Sequence, residues 1–249
     1  MLSAKKDMKD SLLYKGRRKM LVEKLALQGH FSDKVLKAIG AVPRHIFVQE
    51  GLEELAYKDM PVAIEADQTI SQPSTVALQT HLLDIKSGDK ILEIGTGCGY
   101  QCAILFYLGA EVFSIERQQT LFRVAVKNLE EAGYIFPEEN LLTSATAAIH
   151  SGKIHLFLGD GFAGLEKEAP FDGIIVTCGA PYVPEALLKQ LKPGGRLIIP
   201  VNKSPEHVSD RQILKEIVKT EDGRFKARDI LEMSFVPMLK GINRNLNIK

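Results

Sequence analysis

Several things are missing from this chain, and each absence closes a door. No apolar run reaches the roughly 18 to 20 residues that a bilayer-spanning helix needs. The opening MLSAKKDMKDSLLYKGRRKM has no apolar h-region of a secretory signal. Neither membrane partnership nor export is expected. Cysteine is scarce: Cys98, Cys102 and Cys178 cannot all pair, and they stand in apolar or Gly-rich surroundings rather than at staple-like spacings. That usage fits a reducing, cytoplasmic compartment. Cys98 and Cys102 also lack further Cys or His at ligand spacing, so no metal is expected and both read as buried thiols. An excess of charge is missing too. Thirty-two Lys+Arg stand against 31 Asp+Glu, a net charge of +1, so no global field points to nucleic acid.

What is present is ordinary for a globular protein: 249 residues, 45% hydrophobic and 25% charged. Disorder, a fibrous repeat and a disulfide scaffold are thereby poor readings, and the length suits one large domain, or one core domain carrying a smaller N-terminal piece. Locally the balance is uneven, because residues 1–24 carry eight basic and three acidic side chains. A solvated helix face is the first reading of that segment, and an acidic partner the second.

The periodicity predicts a helix over 9–28, with Leu21 and Leu25 on its apolar side and Arg17, Arg18 and Lys24 mostly elsewhere, ended by Gly29. A second helix opens behind Ser32 as N-cap and stops at Pro43. Residues 56–73 show no sustained period and read as an ordered loop, more often functional than filler in a compact domain. A helical pattern returns over 74–83. From there short apolar runs (90–95, 111–116, 153–160, 171–178 and 196–201) alternate with helix-like stretches. Several of those runs hardly alternate, as in parallel strands covered on both faces. The expected fold is therefore α/β, a doubly wound, mostly parallel sheet. The stretches 211–220 and 225–236, split by Asp222-Gly223, predict an antiparallel β-hairpin at its edge. Residues 134–152 interrupt the rhythm as an inserted loop or short helix.

The most informative segment runs from Glu93 to Gly99, between one strand and one helix. Its glycines let a ligand approach the backbone, although a tight turn alone would also explain them. Glu116 ends the next strand, 21 residues after Gly95, where an adenosine ribose would lie and a carboxylate could accept from both hydroxyls. An ordinary strand-end acid is the competing reading. The dinucleotide fingerprint G-x-G-x-x-G would need glycine where Tyr100 stands. Here the spacing is G-x-G-x-G, preceded by Glu93. An acid beside the loop would repel a pyrophosphate but suit the sulfonium and ammonium of S-adenosylmethionine. Asp160-Gly161, at the end of a further strand, offers an acceptor for the adenine amino group or, alternatively, an Asx-turn.

The residues resemble the protein-L-isoaspartate (D-aspartate) O-methyltransferase family over nearly the whole chain. The resemblance is carried by Val42-Pro-Arg-His-Ile-Phe-Val48, Asp67-Gln-Thr-Ile-Ser-Gln-Pro73, residues 92–101 around the glycine loop, 169–176, 191–196 and Phe235-Val-Pro237. It implies a class I S-adenosylmethionine-dependent methyltransferase (Rossmann-like) fold, with residues 1–73 as an N-terminal helical and substrate-segment region and 74–249 as the cofactor-binding core. It further implies methylation of the α-carboxyl of L-isoaspartyl, and also D-aspartyl, residues in damaged proteins, with S-adenosyl-L-homocysteine as product. On that resemblance Ser71 is the active-site residue, Thr69, Ile70 and Ser74 share its substrate segment, and Glu93, Gly95, Glu116, Asp160 and Gly161 are cofactor positions. Thr96, Gly97, Gly99 and Arg117 complete the cofactor set. Cys98 stands where many relatives have serine, and 134–152 is longer than in compact bacterial relatives. The expected partners are age-damaged proteins and peptides, with the chain acting as a monomer.

An isoaspartyl carboxylate is already ionised near neutral pH, so its attack on a methyl carbon needs no strong base. Ser71 would orient it by a hydrogen bond, and no motif supports a serine triad. Two rival readings share the glycine loop: a methyltransferase for another carboxylate or a small molecule, and a non-catalytic module that binds modified protein termini.

Overall fold

The computed structural model describes residues 10–136, 148–203 and 211–244. Two N-terminal helices, α1 (Leu12–Ala26) and α2 (Asp33–Ala41), pack on each other. The apolar side of α1 is Leu21 and Leu25, as predicted, but Arg18 is also buried. Its guanidinium reaches Asp10, the Gly40 carbonyl and the Tyr57 hydroxyl at 2.9–3.2 Å, which pins the helix to α2 and to the following loop. Ser32 occupies the N-cap position, yet its hydroxyl makes no capping bond, while its carbonyl accepts from Val35 N at 3.0 Å and Leu36 N at 3.1 Å. Most of the basic segment before α1 lies outside the described residues.

The stretch 56–73 is not a plain loop. It folds into a small antiparallel hairpin, β1 (Val62–Ile64) and β2 (Gln68–Ile70), with Val62 paired to Ile70. Period counting missed it because each strand has three residues, too few for alternation to show. Helix α3 (Pro73–Leu83) follows, with Pro73 in its first turn and the Ser74 N–H satisfied by Asp59 Oδ1 at 2.8 Å.

Strands β3 (Lys90–Ile94), β4 (Glu111–Glu116), β5 (Ala148–Ser151), β6 (Ile154–Leu158), β7 (Phe171–Val176), β8 (Leu191–Asn202), β9 (Gln212–Lys219) and β10 (Phe225–Met233) form one sheet in the order β10-β9-β8-β7-β3-β4-β6-β5. The β7-β3, β3-β4, β4-β6 and β7-β8 pairings are parallel, and those toward both edges are antiparallel. Helices α4 (Tyr100–Tyr107), α5 (Gln119–Glu131) and the short α6 (Glu185–Lys189) make crossovers. The expected architecture is thus the observed one.

Burial follows the sequence pattern closely. The central β3, β4 and β7 are buried almost throughout, β6 alternates, and β10 is nearly all exposed. The predicted C-terminal hairpin turns at Asp222-Gly223, where Gly223 has φ +80°. Of the interruption 134–152, residues 148–151 are edge strand β5, paired antiparallel to β6, and 137–147 lie outside the described residues. No helix among the described residues is long and apolar enough to cross a membrane.

The connection after β4 moves one way from β3, whereas β7 and β8 lie on the other side of it. Their divergence opens a crevice at the carboxyl ends of the strands, the general location of ligand sites in such sheets.

Candidate active site

At that crevice the residue after each central strand turns into one cavity: Gly95 and Gly97 after β3, Glu116 and Arg117 at the end of β4, Gly161 after β6, Thr177 and Cys178 after β7. Ile94, Ile115, Leu121 and Met238 supply apolar wall. The glycine loop is tied to β4, with Gly95 N donating to the Ile115 carbonyl at 2.9 Å and Gly97 N to Glu116 Oε2 at 2.9 Å. Gly95 has φ +96°, and a Cβ there would stand 2.6 Å from Thr177 Oγ1. At Gly161 a Cβ would meet Ile94 Cγ2 at 2.3 Å. Both positions therefore require glycine, one for conformation and space and the other for space alone.

Glu116 is the acid of this cavity. Its Oε1 accepts from Gln118 N at 2.8 Å, so each oxygen already holds one backbone N–H and keeps a lone pair for a ligand. Burial pushes its carboxyl above the usual range, opposed by the backbone N–H groups of Gln118, Gly97 and Arg117.

Glu93 is elsewhere. It is fully buried beneath the loop, and Ser114 donates to its Oε2 at 2.6 Å while Thr96 Oγ1 lies 2.6 Å from Ser114 Oγ. Its other oxygen has no partner, and burial pushes its pKa up to about 8. Buried beneath the loop, Glu93 does not border the cavity, and Glu116 is the acid that does. Thr96 likewise faces Ser114, and Gly99 caps α4 with φ +91°.

Asp160 makes the Asx-turn that was its alternative reading, accepting from Phe162 N at 2.9 Å, and its second oxygen accepts from Gly241 N at 2.8 Å. That second bond fastens the chain end. After β10 the chain crosses the cavity mouth, held by Gly179 N to the Val236 carbonyl, Met238 N to the Gly179 carbonyl and Asn243 N to the Arg117 carbonyl, each at 2.8 Å. Val236, Pro237, Met238 and Leu239 thus line the cavity. Only Pro237 and its neighbours had a sequence signal, the Phe-Val-Pro match; the rest follow no period.

Two smaller pockets adjoin this cavity. Ser71 lines both, Ile70 one of them, and Thr69 and Thr177 border all three spaces. The Ser71 hydroxyl enters no hydrogen bond among the described residues, so no histidine activates it there. Ser74 stands apart in the first turn of α3, its hydroxyl accepting from Gln72 Nε2 at 2.8 Å. Thr177 is the residue that sequence reading missed. Its hydroxyl lies 3.0 Å from the Ile94 carbonyl and 2.7 Å from that of Gly95. Its place directly after a central strand at the switch point was the available signal. Among the described residues no three His, Cys, Asp or Glu side chains are grouped to hold a metal ion.

A doubly wound sheet with a glycine loop after its first central strand and an acid at the end of the next has the class I S-adenosylmethionine-dependent methyltransferase fold. Comparison with known proteins narrows this. The family model described as protein-L-isoaspartate(D-aspartate) O-methyltransferase matches residues 16–243, and the chain belongs to that family. Among its relatives, the protein-L-isoaspartate O-methyltransferase of Christiangramia forsetii is 44% identical over 95% of this chain and all of its own length. That of Flavobacterium psychrophilum is 42% identical over the same shares. Among solved structures, a protein-L-isoaspartate O-methyltransferase superposes with TM-score 0.74 at 28% identity, covering 91% of this chain and 67% of the other. A Plasmodium falciparum chain described as the same kind of enzyme, in complex with S-adenosyl-L-homocysteine, gives 0.72 at 25% identity over 90% of this chain and 99% of its own.

Proposed function

We propose that this chain is a protein-L-isoaspartate O-methyltransferase, which transfers a methyl group from S-adenosyl-L-methionine to the α-carboxyl of L-isoaspartyl, and also D-aspartyl, residues. Its substrates are age-damaged proteins and peptides, and S-adenosyl-L-homocysteine is the other product. The observation that carries this reading is the adjacency of the Ser71 pockets to the glycine-loop cavity across Thr69 and Thr177.

The residues present suit the cofactor. Gly95 and Gly161 border the cavity with bare backbone packed tightly against Thr177 and Ile94, Glu116 keeps acceptor capacity for ribose hydroxyls, and Ile94, Ile115, Leu121 and Met238 suit an aromatic ring. Gly97 and Arg117 border the same space, while Glu93, Thr96, Gly99 and Asp160 shape it from behind. When bound, S-adenosylmethionine supplies an electrophilic methyl carbon. The protein's task is then alignment. The free Ser71 hydroxyl donates to one oxygen of the accepting carboxylate and turns the other toward the junction, with Thr69 and Ile70 as walls and Ser74 securing the segment through Gln72. Such proximity and orientation contribute about 7–11 kcal/mol to a bimolecular reaction, and the segment 236–239 walls the cavity on one side.

This reading divides the labour between residues 1–73, which present the substrate segment, and 74–249, which hold the cofactor. It puts the chain in a reducing cytoplasm, a reading that three free cysteines support. The test is incubation with radiolabelled S-adenosylmethionine and paired peptides that differ only in an aspartyl or isoaspartyl linkage. Label should enter the isoaspartyl peptide alone as a base-labile ester. Label in both peptides, or in neither while S-adenosylhomocysteine still binds, would replace this reading with another methyl acceptor or a binding module.

A further inference from the structure

Arg44 lies in a short 3-10 turn over Arg44–Phe47, and its side chain is completely buried, 0% exposed. Nε donates to the Ala56 carbonyl at 2.8 Å and Nη2 to the Ser71 carbonyl at 2.8 Å. The guanidinium carbon stands 4.7 Å from the centre of the Tyr100 ring. Nη1 has no hydrogen-bond partner, and no carboxylate pairs with this cation among the described residues. A guanidinium does not surrender its proton in a protein, so the charge persists. Buried charge without a counter-ion is costly and calls for an explanation.

The surroundings supply one. Tyr100, on whose ring Arg44 rests, lines the same pocket as Thr69, Ile70 and Ser71, and the Ser71 carbonyl is Arg44's own acceptor. One cation therefore joins three chain segments, at Ala56, Ser71 and the start of α4. Both of these partners, Ser71 and Tyr100, line the pocket assigned to the accepting carboxylate.

We propose that Arg44 is a positioning residue for carboxyl methylation: it fixes the Ser71 segment against Tyr100, and its unneutralised charge makes the Ser71 pocket select an anionic carboxylate over a neutral amide. This rests on the function proposed above and adds a specificity determinant to it. The charge acts through a low-dielectric wall rather than by contact, and the fork geometry, which a lysine lacks, sets the position of Ser71.

The test uses the full chain, wild type and the variants Arg44→Lys and Arg44→Gln. For each, kcat and KM are measured with an isoaspartyl peptide, the inhibition constant with the same peptide carrying an α-carboxamide, and the Kd of S-adenosylhomocysteine by calorimetry. Arg44→Gln should raise KM about tenfold and cut the preference for carboxylate over amide by about as much, the scale of one interaction with a charged group. Its Kd for S-adenosylhomocysteine should stay within about twofold, since Arg44 touches none of the cofactor cavity. Arg44→Lys should keep the preference while kcat falls about three- to tenfold, because one ammonium cannot hold both carbonyls in place.

A Gln variant whose carboxylate preference is unchanged, with all activities lowered only in proportion to its folded fraction, would overturn the proposal. If that variant does not fold, wild-type kcat and KM in Arg44→Lys would overturn it instead. Wild-type turnover is measured first. Its absence removes the functional reading and this one together, whereas wild-type turnover with unaltered selectivity in Arg44→Gln removes the role of Arg44 alone.

Discussion

Two side chains with no solvent exposure lie beneath the two halves of the site, the carboxyl of Glu93 under the glycine loop and the guanidinium of Arg44 under the Ser71 segment. Neither is neutralised by the other, and they respond to burial in opposite ways. Glu93 can take up a proton and does so, its pKa pushed up to about 8 chiefly by loss of solvent, so the cofactor half rests on a neutral group hydrogen-bonded through Ser114. Arg44 cannot shed its proton and remains a cation. The cofactor half is thus built of backbone bonds and strand ends, while the substrate half is held by a side chain that keeps its charge. An anion belongs on the second side.

The largest expected effect breaks the first half of this comparison. A carboxyl raised from about 4.5 to about 8 is protonated in both states below pH 4.5, where its contribution to stability is complete. As pH rises, the unfolded chain ionises first, and stability falls by about 1.4 kcal/mol per pH unit until the folded-state pKa is reached. Between pH 5 and 7.5 the wild type should therefore lose about 3 kcal/mol relative to Glu93→Gln, which does not titrate. Urea unfolding of both proteins across that range measures it. Parallel stability curves would show that Glu93 is ionised in the folded protein and that the two halves do not differ in this way.

The fold on the cofactor side was the more legible. Unbroken apolar runs, glycines between strand and helix, and an acid at the next strand end are properties of continuous sequence; the strands they predict form as β3 and β4, and Gly95 and Glu116 meet at one cavity. Both acids adjoin the glycine loop in sequence, and pairing puts Glu93 opposite Ser114 while Glu116 stands two residues further along the same strand and on the same face, so depth separates them: one lies under the loop, the other at its rim. The substrate side was legible mainly through resemblance. The three-residue strands β1 and β2 show no period, Asp59 caps α3 across 15 residues, and Arg44 meets Ser71 across 27. Such ties join distant segments that carry no mark of each other.

A crossed pair of substitutions sharpens the division. Glu116→Ala removes a carboxylate that both borders the cavity and holds Gly97, and should weaken S-adenosylhomocysteine binding by about 1.5–3 kcal/mol. Turnover at saturating cofactor should suffer less. Ser71→Ala should do the reverse, slowing methyl transfer by about 1–3 kcal/mol, or roughly five- to 150-fold, with cofactor affinity nearly intact. Calorimetry and peptide kinetics on the two variants separate the halves. Equal losses in both measurements for either variant would mean that its residue serves the whole site.

The smallest effect is expected at the boundary. Thr177 borders all three spaces, and its hydroxyl bridges the carbonyls of Ile94 and Gly95. In Thr177→Val the Ile94 carbonyl keeps the Thr177 backbone N–H, made at 3.0 Å, because valine retains that donor. Gly95 loses its side-chain donor, and one neutral hydrogen bond amounts to about 1 kcal/mol, roughly fivefold in an equilibrium constant. The added methyl group takes nearly the volume of the lost hydroxyl, so overpacking contributes little. Because Gly95 lies between cofactor cavity and Ser71 pocket, the Kd of S-adenosylhomocysteine and the KM of an isoaspartyl peptide should both rise, each by less than about tenfold. A change in Kd alone would assign Thr177 to the cofactor half, and a change in KM alone to the substrate half; either result would move the boundary between the two halves off this residue.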